Sequence, residues 1–172
     1  RFLLAADIWI LLTLILAIAM SVPAINVYTH GTHITVAHTM GATIGINSFL
    51  LLAIAFDILN ESCIPITKNI KWLNRGFYTA NISLFVFWIS LITAGILKAK
   101  WQMSDTKIPF STMMLQLRPY FTLFFFSGIT MTAGFYIILY PLVKNQVHCY
   151  FKKLVHKREL NHDQLPGTLT TE

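Results

Sequence analysis

Between residues 28 and 41 the chain reads YTHGTHITVAHTMG, which brings His30, His33, His38 and Met40 close together in an otherwise apolar stretch. His38 lies more than one turn inside a run long enough to cross a membrane. An imidazole at that depth is costly unless it is hydrogen-bonded to a neighbouring helix or bound to something. The residues alone leave both readings open. Histidine and methionine are each axial ligand types for heme iron. At 100° per residue, His38 and Met40 leave the helix about 200° apart, so if both bound iron the helix would stand between two separate centres. A buried methionine is otherwise adaptable packing material.

These residues depend on apolar elements to position them. The chain has 172 residues, 55% hydrophobic and 12% charged, with a mean hydropathy of +0.62. That charged share is about half the usual value for a soluble domain. Four apolar runs meet the roughly 20 residues needed to cross a hydrocarbon core: 2–22, 34–59, 77–97 and 120–143. The expected fold class is all-α integral membrane, with residues 1–145 forming a four-helix transmembrane segment. Residues 146–172 form a basic cytoplasmic tail, and its last ten or so, rich in Pro, Gly and Thr, are expected to be disordered.

Within that frame, Ser21 to Ala24 ends the first helix and 25–29 is a short link. Asp7, near the start of the first helix, is either solvated at the interface or part of a proton path. Gly41, Ala42, Gly45 and Ser48 give the second helix a small-residue side, suited to a neighbouring helix or to a flat ligand. The third helix has no charged residue between Arg75 and Lys98 and reads as scaffold, with Trp101, Lys98 and Lys100 as interfacial anchors. Residues 102–117 read as an external link that has room for a short amphipathic helix. Arg118-Pro119 introduces the Phe-rich fourth helix, and Pro141 is expected to end or kink it.

Charge sets orientation. Arg1, Lys68, Lys71, Arg75, Lys144, Lys152, Lys153, Lys157 and Arg158 fall on one side of a four-crossing chain, against Lys98, Lys100, Lys107 and Arg118 on the other. The positive-inside rule places both termini in the cytoplasm of a bacterial-type inner membrane and the histidine stretch at the opposite face. The net charge of +6 is accounted for by this topology and a basic tail near anionic lipid, with no call for nucleic acid. Cys63 and Cys149 lie on the cytoplasmic side in no C-x-x-C pattern, which argues against covalent heme attachment and structural zinc. His148, His156 and His162 belong to the solvated tail.

The stretch YTHGT-x-x-T-x-A-H, following a Pro-containing link and opening a transmembrane helix, resembles the tenth helix of the catalytic subunit of nitric oxide reductases, in the heme-copper oxidase superfamily. SVPAIN with the helix before it resembles the ninth helix of that family, FWISLITAGILKAKW the eleventh, and the Phe-rich run to Tyr140-Pro141 the twelfth. The likeness covers roughly residues 2–145, that is, the last four helices of a twelve-helix subunit I fold. The histidine motif is its specific part. The other helices match in pattern and order.

The resemblance implies that His38 is the proximal ligand of a high-spin heme b, where NO is reduced to nitrous oxide. It places His30 and Thr32 near the heme propionates and assigns no role to His33, a propionate partner or an exposed interfacial residue. The family pattern has a second histidine where Met40 stands, so either a low-spin heme is His/Met ligated here or that ligand has been lost. The non-heme iron ligands of the family come from earlier helices, so the site requires another chain or segment, along with an electron donor such as a cytochrome c subunit or quinol. The alternatives are an oxygen reductase of the same superfamily and a non-catalytic membrane scaffold subunit.

Overall fold

The computed structural model describes residues 1–62, 70–105 and 108–163, and no strand occurs among them. Four helices are long and apolar enough to cross a membrane: Phe2–Ser21, His33–Leu59, Ile70–Met103 and Phe110–Lys144. The helix is one of the few structures that satisfies every backbone group inside lipid, so apolar runs of this length have little alternative.

Helix α1 spans Phe2–Ser21 and stops at Val22, whose extended backbone precedes Pro23. A residue before proline is disfavoured in the helical region. The chain does not then run on as a plain link. Pro23 sits at the first position of α2 (Pro23–Thr29), where its missing N–H removes no hydrogen bond. Gly31 takes a φ of 70°, the left-handed turn that lets the chain reverse. The second span then begins as α3 (His33–Met40), passes through a π-helical segment (Gly41–Ser48), and continues as α4 (Phe49–Ser62).

Two elements are longer than the sequence suggested. Helix α5 occupies Ile70–Met103 rather than 77–97 alone. Helix α6 runs from Phe110 to Asp163 with Pro119 and Pro141 inside it. Pro119 therefore does not open the helix, and Pro141 does not end it. Each proline removes one backbone hydrogen bond, a loss that long flanking helical turns absorb in a membrane span. Much of the region expected to be an external link is the first part of α6. Trp101 Nε1 donates to the Ile108 carbonyl at 2.9 Å, closing the turn between α5 and α6. The expected disorder of the last residues lies outside the described region from 164 onward.

Helix α5 is the most enclosed of the four spans. It packs antiparallel to α6 through small residues: a side-chain carbon on Gly134 would meet Ala80 N at 2.6 Å, and one on Gly76 would meet the Gly134 carbonyl at 3.1 Å. Close backbone approach of this kind replaces the hydrophobic driving force that lipid cannot supply between helices. The main core is built around Trp9, Phe49, Leu84, Phe87, Trp88 and Ile138, and a smaller one around Ala94, Met113 and Leu117.

Candidate heme-ligand site

The second span is fixed at its mouth by a short polar cage. Thr32 caps α3: its hydroxyl accepts from Ile34 N at 3.3 Å and donates to the Thr29 carbonyl at 2.7 Å. The Thr35 hydroxyl reaches the same carbonyl at 3.3 Å. From α5, Lys98 Nζ donates to the Gly31 carbonyl at 2.9 Å, tying the His30–Thr32 turn to a different helix. Just below, Gly95 lets α5 approach so closely that a side-chain carbon there would meet Ile34 N at 2.6 Å. The start of α3 is thus held by a cap, a cation and a glycine seam.

Ile34, Ala37, Gly41, Gly45 and Phe49 form the buried stripe of this span. His38 lies on one flank of it, half-buried, with its Nδ1 fully enclosed and without a hydrogen-bond partner among the described residues. Ligating histidines ordinarily fix their orientation through the second ring nitrogen. Among the described residues none fixes the His38 ring through that nitrogen. Met40 lies on the opposite flank, also half-buried, and packs against the main apolar core. The two side chains diverge, as two α-helical steps require.

The remaining sequence candidates are spread out. His30 is exposed at the end of α2, whereas Thr32 is buried with its hydroxyl occupied by the backbone. His33 has a buried, unpartnered Nδ1, and its ring lies 5.1 Å from that of Phe121 on α6. Asp7 is exposed. Among the described residues no three His, Cys, Asp or Glu side chains come together in a way that could hold a metal ion. A metal met by this chain would use isolated side chains such as His38.

Between Gly41 and Gly45 and their neighbours there is no room for a flat ligand. A side-chain carbon on Gly41 would collide with the Thr13 methyl and lie 3.2 Å from Trp88 Nε1, and one on Gly45 would lie 2.6 Å from the Trp9 ring. These glycines serve helix packing. The two indoles meet edge to face at 5.9 Å, and Trp9 Nε1 donates to Asn81 Oδ1 at 3.0 Å. Two apolar grooves lie along α6, one including Phe124, Ile129 and Tyr136 and the other Phe110, Arg118 and Phe125; neither is lined by His38 or Met40.

Sequence reasoning missed Lys98 as a latch and the π segment altogether. The signal for Lys98 was its place as the first charge after an uncharged span, read as an anchor only. The π segment follows Met40 directly, and π-helical turns recur at functional sites.

Comparison with known proteins gives one match. A family model described as Cytochrome C and Quinol oxidase polypeptide I matches residues 1–130. No curated protein and no solved structure matches the chain.

Proposed function

The chain belongs to the cytochrome c and quinol oxidase polypeptide I family, and from that premise we propose that it supplies the heme-proximal helices of a nitric oxide reductase type catalytic subunit, with His38 as the axial ligand. Membership makes it part of a membrane oxidoreductase subunit of the heme-copper oxidase superfamily. The finer reading rests on the depth of His38, an imidazole more than one turn inside a membrane-length span, whose enclosed Nδ1, like that of His33 at the mouth of the span, has no hydrogen-bond partner among the described residues. A neutral buried histidine kept for packing alone would be expected to have its ring hydrogen-bonded. NO as the substrate, rather than oxygen, is supported by the YTHGT form of the motif.

A bound heme b would supply the redox-active iron, and the protein supplies ligand, orientation and surroundings. His38 would hold that iron from α3. Lys98 and Thr32 tie down the turn from which α3 starts, so the imidazole is carried on a helix anchored at its first turn. Gly95 brings α5 against the same turn. Trp9 and Trp88 fill the space beside Gly41 and Gly45 and keep the helix behind His38 in place.

The non-heme iron, the remaining heme ligands and the electron donor, a cytochrome c subunit or a quinol, come from other helices or chains. The membrane is a bacterial-type inner membrane with both chain ends in the cytoplasm. One observation favours a second reading. Met40 packs against the apolar core, the placement expected of a scaffold subunit that retains at most one heme ligand.

Pyridine hemochrome and reduced-minus-oxidised spectra of the purified complex, with NO and oxygen consumption on the same sample, separate these readings. Heme b with NO turnover supports the reductase. Oxygen turnover alone points to an oxygen reductase, and absence of heme to a scaffold.

A further inference from the structure

The outer face of the second span is polar where contact with lipid would call for apolar side chains. Thr39, Thr43 and Asn47 follow at steps of four and are exposed, turned away from the buried stripe of Ile34, Ala37, Gly41, Gly45 and Phe49. His38 lies on the flank between the two faces. Asn47 is deep however the span sits. It is 14 residues from His33 and 12 from Leu59, so every stretch of about 20 residues able to cross the hydrocarbon contains it with several residues to spare.

At that depth its hydrogen bonding decides where it can stand. Exposed threonines of the spans satisfy themselves: Thr39, Thr43, Thr130 and Thr132 each donate to the carbonyl four residues earlier, at 2.8 to 3.1 Å. A hydroxyl closed on its own helix can face lipid. A carboxamide has two N–H donors and a carbonyl, and that of Asn47 has no partner among the described residues. Asn81 shows how this fold treats the same group: its Oδ1 accepts from Trp9 Nε1 of a neighbouring helix at 3.0 Å. Inside hydrocarbon Asn47 needs an equivalent partner, because no water is there to replace one.

A further helix is the occupant that fits. Polar side chains at depth join membrane helices by hydrogen bonds. Leu51, one turn beyond Asn47 on the same face, is 65% exposed. A second copy of this chain set against the face would bring, among the described residues, no group of three metal-ligating side chains. The helices that hold the rest of the iron site must instead stand beside the span that carries His38.

We propose that the outer face around Asn47 docks a transmembrane helix from outside residues 1–172, that of the chain or segment carrying the early helices, and that this helix brings a hydroxyl, carboxamide or carboxyl to the Asn47 carboxamide. The choice of occupant rests on the function proposed above, in which the iron site is completed from elsewhere.

The test uses the complex purified from native membranes into phosphatidylcholine nanodiscs. With Leu51→p-benzoylphenylalanine, irradiation is expected to yield a cross-linked peptide from outside residues 1–172, identified by mass spectrometry. N47L is expected to lower the melting temperature of the complex by about 2–4 °C. N47Q, which keeps the carboxamide, should lose less than half of that, and T43V, whose hydroxyl is already closed on its own helix, should lose none. Cross-links to lipid alone or to a second copy overturn the proposal, as does an N47L complex that melts at or above the native temperature. Heme content and NO turnover of the same preparations report on the reductase separately. Their absence, with the cross-link and the N47L loss intact, refutes the reductase and leaves the docking face standing; their presence with cross-links to lipid alone does the reverse.

Discussion

At the scale of single residues, His38 stands more than one turn inside an apolar span, and its enclosed Nδ1, like that of His33, meets no hydrogen-bond partner among the described residues, while Thr32 and Thr35 are tied to the backbone. His38→Ala is expected to remove the high-spin heme signal and reduce NO turnover to background. Met40→Ala should leave that signal in place and disturb only a low-spin spectrum, since the two side chains lie on opposite flanks of one helix. Optical and electron paramagnetic resonance spectra of both variants check this. Lys98→Met loses the hydrogen bond to the Gly31 carbonyl. The cost should be about 1 kcal/mol at this exposed site, read as faster amide exchange in residues 31–34 with little change elsewhere. His38 was legible in the sequence because an imidazole inside an apolar run is conspicuous. The Lys98 latch was not, because its partner is a backbone carbonyl 67 positions away, and any residue type could have supplied that oxygen.

At the scale of elements, the second span changes partner along its length. At Ile34 it meets Gly95 of α5, and from Gly41 to Phe49 it also takes up Thr13, Trp9 and Phe2 of α1, with Trp88 and Phe77 of α5 still beside Gly41 and Phe49. The π segment lies where α1 joins the contact: i→i+5 bonding turns the chain through less than the α-helical angle per residue, which rotates the buried face toward α1. Hydrophobic periodicity could not show this, because nearly every residue of the segment is apolar or small, so no polar face marks a period. The prolines of α6 misled for the opposite reason. Local preference pointed to a helix start at Pro119 and to an end or kink at Pro141, and the helix runs through both in its tertiary and lipid setting. Gly45→Leu should force Trp9 aside and cost about 1–3 kcal/mol of stability. Thermal unfolding in detergent would report it, and Gly45→Leu combined with Trp9→Ala should be less than additive, because the two residues share one space.

At the scale of the whole molecule, the number of crossings and the fold class were readable from composition and run length, since lipid leaves an apolar chain few alternatives. What composition could not show was how far α5 and α6 extend beyond the apolar runs, where polar residues continue a helix that the span has already started. Orientation rests on the distribution of Lys and Arg, and Cys63 and Cys149, the two cysteines of the chain, give a direct check. A membrane-impermeant maleimide is expected to label the protein in inverted vesicles and not in intact cells; labelling in cells would reverse the assigned topology. The central claim concerns the high-spin heme held by His38. The measurement that tests it most directly is the heme-to-polypeptide ratio and NO consumption of the purified complex, compared between the native protein and His38→Ala. The account predicts heme b with NO turnover in the native complex, and loss of one heme together with turnover in the variant. Equal heme content and equal turnover in the two would contradict it.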